Sequence, residues 1–202
     1  MSKVIKTIET ELLAITQVAA NAQQLSSELD LSANLKNIVA LCVMIGRTAT
    51  TAFVGAGTEI RVEASFKATG NDAWVTIASY TCAIAAATEI TADGAEAAGQ
   101  TLIEIGANTP VVNDIVFWEN ATIGSSEWGK VVAISAGVSF TLQDGLTIAQ
   151  AAAKLIYNKG EKWAPLLDCT GYTRIRVVIN NNNGTTNVAV DVRVSAITAQ
   201  EL

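Results

Sequence analysis

The chain has 202 residues, half of them apolar and 16% charged, with 13 Lys and Arg against 19 Asp and Glu for a formal charge of −6, and no histidine. That composition excludes serine-histidine triads, cysteine-histidine dyads and histidine-ligated zinc or iron, and its negative balance opposes nonspecific attraction to nucleic acid. The length suffices to enclose a core without disulfide or metal staples, and Cys42, Cys82 and Cys169 lie in apolar runs without CxxC spacing, as reduced core or boundary residues do.

The N-terminal stretch, MSKVIKTIETELLAI, carries charges where a secretory apolar segment would have to lie, and no later segment offers 18 uninterrupted apolar residues, so a soluble, intracellularly made product is expected. Residues 4–22 can be drawn as a helix on the spacing of Ile8, Leu12 and Ile15, but Thr7, Thr10, Thr16 and Val18 weaken it. An extended arm leading into strands near 12–18 and 24–29 fits better. Residues 38–45, IVALCVMI, form an apolar strand bounded by Gly46, and residues 49–57 a loop or bent edge.

Alternation is clearest in residues 58–66, TEIRVEASF. Period two places Ile60, Val62, Ala64 and Phe66 on one face and Glu59, Arg61, Glu63 and Ser65 on the other. Residues 187–197 repeat the pattern, with Val188, Val190, Val192, Val194 and Ala196 opposed by Asp191, Arg193 and Ser195. One buried and one wet face marks antiparallel sheets rather than a buried parallel sheet. Residues 67–72 predict a hairpin into a strand at 74–80. Residues 83–100, rich in alanine but interrupted by glycine, predict a long excursion rather than a core helix. Short strands follow at 102–105, 115–118, 130–134 and 138–142, with Asp144-Gly145 as a hairpin turn. A brief helix or irregular strand is expected at 148–157, a strand at 174–179, and a turn at Asn183-Gly184 before the last strand.

The segment DLSANLKNIVAL from Asp30 echoes DCTGYTRIRVVI from Asp168, each followed by a Gly/Thr-rich connection and a strand containing Arg-Val, at Arg61-Val62 and Arg193-Val194. An Asp two residues before Ser32 or Thr170 suits a corner that satisfies its own backbone donors. Chance similarity between ordinary hairpins is the competing explanation. The core expected from these patterns is Val39, Leu41, Ile60, Val62, Trp74, Val116, Trp118, Val132, Ile134, Ile175, Val177, Val190 and Val192.

Catalytic patterns fail one by one. No P-loop or dinucleotide-binding fingerprint is present. Asp114, Glu119, Glu127 and Asp144 lie near Trp118 and Trp128, as paired glycosidase acids beside sugar-stacking rings would, but turn chemistry beside core tryptophans explains them as well. The oxygens of Asn180 to Asn183 and Asp191 lack the ordering of a calcium loop. The sequons at Asn120 and Asn183 imply exposed segments only. The expectation is therefore a non-enzyme with no cofactor and no metal. Arg47 and Arg61 suit interstrand ion pairs or interface hydrogen bonds.

Segments 46–80 (GRTATTAFVGAGTEIRVEASFKATGNDAWVTIASY), 117–134 (FWENATIGSSEWGKVVAI), 141–147 (TLQDGLT) and 168–198 (DCTGYTRIRVVINNNNGTTNVAVDVRVSAIT) together resemble the small all-β structural proteins of tailed bacteriophage virions. The resemblance rests on texture across residues 30–198. It implies an all-β, antiparallel β-sandwich of Greek-key or jelly-roll type over residues 30–202, preceded by an N-terminal arm or short helix at 1–29. It implies a capsid decoration or cement protein of the head, or a tail or head-fibre component, with the major capsid protein or other virion proteins and further copies of itself as partners. No direct nucleic-acid or membrane contact is implied, and the location would be the virion, assembled in the host bacterial cytoplasm. Val4, Ile5, Ile8, Leu12 and Arg47 are then the candidate interface residues. A carbohydrate-binding β-sandwich module using the tryptophans is the alternative.

Overall fold

A computed structural model describes residues 3–6, 10–32, 36–47, 57–70, 73–82, 89–120, 122–151, 155–185 and 187–200. The expected loop at 49–57 falls outside these, apart from Gly57. In chain order the strands are β1 (Lys3–Lys6), β2 (Thr10–Val18), β3 (Gln23–Leu25), β4 (Leu29–Asp30), β5 (Lys36–Arg47), β6 (Thr58–Ser65), β7 (Trp74–Cys82) and β8 (Glu89–Ala92). They continue with β9 (Leu102–Ala107), β10 (Ile115–Trp118), β11 (Glu127–Ser135), β12 (Ser139–Leu142), β13 (Leu155–Trp163), β14 (Leu166–Asp168), β15 (Arg174–Asn181) and β16 (Val188–Gln200). One 3-10 turn, Ile123–Ser125, precedes β11. The fold is all-β and its sheets are antiparallel.

Two sheets face each other. The smaller runs β3-β15-β6-β7, with β4 also on β15; the larger places β16 beside β5, with β1 and β2 on the far side of β16 and β13 and β14 on the far side of β5. Alternation dictates the packing: Val39, Leu41, Val43 and Ile45 of β5 and Val188, Val190, Val192 and Val194 of β16 meet Ile60, Val62 and Ala64 of β6 and Ile175, Val177 and Ile179 of β15 in one aliphatic core. Each such Val or Ile contributes about 1.5–3 kcal/mol on leaving water. Leu12, Val18 and Leu29 join this core, so residues 10–30 run as strands that extend both sheets.

The Asp echo is a reciprocal pair of corners. Asp30 Oδ1 accepts from Ser32 N at 2.8 Å and Asp168 Oδ1 from Thr170 N at 2.9 Å. At the first corner the chain leaves β4 in the small sheet for β5 in the large one, and at the second it leaves β14 in the large sheet for β15 in the small one. Leu31 N donates to Thr173 O (2.8 Å) and Cys169 N to Asn37 O (2.7 Å), so each corner is bonded to the other's outgoing strand. The middle strand of each echo then lies between the outer strands of its counterpart: β5 between β14 and β16, β15 between β4 and β6.

Residues 89–163 build a second body. β13 pairs with β10, and the ladder continues through β11, β12 and β9 to β8. β8 returns to β13 with Leu155 opposite Thr91 and Tyr157 opposite Glu89, closing a six-stranded barrel. Its interior is filled by Ile90, Ile103, Ile105, Val116, Trp118, Val131, Phe140, Leu142 and Ile156, among others.

Several expectations are corrected. Within the excursion at 83–100 lies β8, a strand that pairs with the next strand, β9, and with the sequence-distant β13. Val132 and Ile134 are exposed and Val131 is buried, so the inward face of β11 runs through Val131, one residue off the expected facing. Trp74 is half-buried on the outer face of the small sheet. Phe66 lies beyond the end of β6, exposed against the ring of Tyr172 at 4.7 Å. Asp144-Gly145 turns no hairpin: a Cβ at Gly145 would stand 2.5 Å from Gly99 O, and the close approach lets 146–150 zip onto 96–100. Asn183-Gly184 links β15 and β16, which belong to different sheets.

Candidate functional site

The joint between barrel and sandwich arises from two small residues. Gly46 of β5 and Ala189 of β16 are register partners on the outer face of the large sheet. Their low profile admits Phe117 and Trp128 of the barrel, whose rings meet at 4.5 Å. A Cβ at Gly46 would stand 2.7 Å from the Trp128 ring. This contact explains why the outer face of β16 is not wet: Ala189 and Asp191 are both buried.

Two clefts share Met44 and Trp128 in their lining. The first, of about 520 Å³, is lined by Glu11, Asp191, Arg193 and Glu127 with Ile15 and Cys42. Arg193 Nε donates to Asp191 Oδ2 at 3.0 Å and Arg193 lies 3.9 Å from Glu11, so the guanidinium compensates the buried carboxylate. Glu127 accepts from Thr147 N (2.8 Å), Thr147 Oγ1 (2.7 Å) and Gln150 Nε2 (3.0 Å), which pins the barrel's irregular strap. The second cleft, of about 550 Å³, presents Lys130 and Lys162.

A separate surface lies on the barrel. Asn113 N donates to Val131 O (2.9 Å) and Ile105 N to Val138 O (2.9 Å), while Gly137 N donates to Thr109 Oγ1 (2.9 Å). These bonds draw loop 108–114 against the β11–β12 hairpin, gathering Val111, Val112, Val132, Ile134 and Val138, all more than 40% exposed. Sequence reasoning missed this cluster because it assigned Val132 and Ile134 to the core; the unpaired Val111-Val112 beside Pro110 was its one local trace.

The predicted interface residues scatter. Val4 and Ile5 belong to β1, opposite Ala199 and Thr198 of β16. Ile8 lies outside the described residues. Leu12 is 4% exposed and belongs to the chain's own core, and Arg47 ends β5 opposite Val188. Arg61 pairs within its own strand with Glu59 (2.9 Å) and Glu63 (3.6 Å), while Arg176 makes the cross-strand bond to Glu63 (2.9 Å).

The four tryptophans form no platform. Trp118 fills the barrel, Trp128 the joint, Trp74 lies under the guanidinium groups of Arg174 and Arg176, and Trp163 stacks on Tyr80. Asp114 caps its own turn by accepting from Val111 N. Asn120 is half-buried and donates to Ser125 O and Gln150 Oε1, and Asn183 is fully buried, so neither sequon asparagine is presented to solvent. Asn181 Nδ2 donates to Val18 O and Ala19 O, and its Oδ1 accepts from Thr58 Oγ1 and Asn183 N. The asparagine run thus holds a corner between sheets. No group of three or more His, Cys, Asp or Glu side chains suited to a metal occurs among the described residues, and no described helix is long and apolar enough to cross a membrane. Burial pushes the Cys169 thiol up to about 11 with help from Asp168, which keeps it unreactive at neutral pH.

No protein-family model matches the chain, and no curated protein matches it. Among solved structures, VP17, a capsid protein of bacteriophage P23-77, aligns over 98% of this chain and 96% of its own at 7% identity, with a TM-score of 0.21. Structures of infectious bursal disease virus, Gt and Gx strains, align over 98% of this chain and 41% and 42% of theirs, at 7% and 8% identity and TM-scores of 0.20 and 0.22. Superpositions this loose carry no argument about this chain.

Proposed function

We propose that the chain is a non-enzymatic structural protein of a bacteriophage virion, a capsid decoration or cement protein that binds the assembled head. The observation that carries this reading is the exposed aliphatic cluster of Val111, Val112, Val132, Ile134 and Val138 on a chain with few charges. Contiguous apolar surface on a well-packed protein marks an interaction site, and many copies on a symmetric shell multiply modest contacts into firm attachment. The sequence resemblance to phage structural proteins supports the same reading. Of the expected arm at 1–29, residues 3–6 pair with β16 as β1, and Leu12, Val18 and Leu29 join the chain's own core.

Co-sedimentation of the purified chain with assembled heads tests the proposal. Saturable binding is expected, lost in the double variant Val111→Asp, Val138→Asp with its melting midpoint unchanged, since both side chains are about 60% exposed. Deletion of residues 2–9 is expected to weaken binding more than folding. Binding to isolated tails but not heads would move the protein to the tail, and binding to neither would sink the virion reading.

A further inference from the structure

The second cleft at the joint collects positive charge from two parts of the fold. β13 pairs with β10 in the barrel, shifts register beside Gly160, and then pairs with β5, which sets Lys162 opposite Met44. Val43 and Ile45 of β5 face the sandwich core, so Met44 and its partner Lys162 face outward. On the barrel wall, Lys130 of β11 lies opposite Ile115 of β10. Both lysines are exposed, and the cleft of about 550 Å³ that they share has Met44, Ile115 and Trp128 as its apolar wall. Asn113 also lines it, in the left-handed region at φ 77°. Its N–H donates to Val131 O at 2.9 Å, and Val131 N donates to Asp114 O at 3.0 Å, so this turn is fixed before any ligand arrives.

We infer that this cleft binds a small phosphate monoester, its dianionic head between Lys130 and Lys162 and its organic body against Met44, Ile115 and Trp128. Charge selects the head. Arg61, Arg174, Arg176 and Arg193 each meet a carboxylate, at 2.9, 2.6, 2.9 and 3.0 Å, as suits a chain with 19 acids to 13 bases. Lys130 and Lys162 make no ion pair among the described residues, and the described lining of their cleft contains no acid. Like charges gathered without a counter-charge repel and work against folding, and such local conflicts persist where a site needs them. Two ammonium groups match the charge of a dianion, and lysine binds phosphate as a point charge; a planar carboxylate is better served by an arginine fork, which the described lining lacks. The Asn113 amide adds a neutral donor, and the volume lies in the range of about 300–1,000 Å³ usual for small-ligand sites. The neighbouring cleft, with Glu11, Glu127 and Asp191, repels an anion and leaves the lysine side as its place. The inference stands apart from the capsid reading, because a small ligand binds the free chain without a particle.

Titration of the full chain with phenyl phosphate, read by calorimetry and tryptophan fluorescence, tests it, with inorganic phosphate and phenol as probes of head and body alone. Saturable binding of phenyl phosphate at one site is expected, about tenfold or more tighter than either part. Lys130→Gln and Lys162→Gln should each weaken it about tenfold, and the double variant should abolish it. Both side chains are exposed, so the unliganded variants should melt no lower than the parent. Lowering the pH through about 6 removes one charge from the phosphate and should weaken binding to the parent chain, a readout that needs no variant. The inference is overturned if phenyl phosphate does not bind, if the double variant retains the binding, or if inorganic phosphate or phenol binds as tightly.

Discussion

The sandwich gathers its strands from both ends of the chain, with β5 and β16 in register from Lys36–Thr198 to Arg47–Val188, whereas the barrel is one unbroken stretch from β8 to β13. Their cores differ accordingly. Long sandwich strands present repeated Val and Ile at period two, and two facing sheets need nothing larger. The barrel must fill a closed interior from strands of four to nine residues, and it uses Trp118 and Phe140 to do so. Long-range pairing makes the sandwich the later body to form, because loop-closure entropy is lost before its contacts are gained. The Asp30 and Asp168 corners, each bonded to the other's outgoing strand, tie that late assembly together.

The largest break in this comparison comes from Val190→Asp, which buries a charge in the sandwich core and should cost about 3–5 kcal/mol. Chemical denaturation with amide exchange should show protection lost across β5, β15 and β16; an unchanged midpoint would mean that the facing of β16 is misassigned. Ile156→Ala in the barrel should cost about 2–5 kcal/mol, with exchange quickening first in residues 89–163. Uniform quickening across both bodies would show that they unfold as one unit. Gly46→Ala probes the joint itself: its Cβ would crowd the Trp128 ring, at about 1–3 kcal/mol, and Trp128 fluorescence should report displacement while both cores keep their exchange protection.

The smallest effect is a pH dependence confined to the barrel. Burial holds the Glu96 carboxyl above its ordinary value of 4.5, while its backbone exchanges hydrogen bonds with Gln150. The native state therefore binds this proton more tightly than the unfolded chain. Its contribution is complete below pH 4.5 and declines as pH rises through the raised value. Glu96→Gln should flatten that decline and raise neutral-pH stability slightly, measured as melting midpoint against pH; a profile identical to the parent would place the pH response elsewhere.

Much of the fold was legible in the sequence where strands were long. Alternation located β6 and β16 and most of their inward residues, apolar runs located β5 and β15, and the Asp-x-Ser and Asp-x-Thr corners were visible as local chemistry. In β11 the same logic pointed Val132 and Ile134 inward, because consecutive apolar residues (Val131, Val132) leave the facing of a short strand open and only its neighbours settle it. The exposed residues on the barrel were hidden by that one-residue difference in facing. The joint was hidden too, since nothing local says that Gly46 and Ala189 will lie side by side under Phe117 and Trp128.

By itself, then, the sequence determined that this is an antiparallel all-β protein without histidine chemistry, because side-chain period and residue inventory are local properties. Only the tertiary structure decided that β8 returns to β13 to close a barrel and that Asn183 is buried at a corner between sheets rather than exposed on a hairpin. Those outcomes depend on which strands become neighbours, a choice made by pairing and burial across the whole chain.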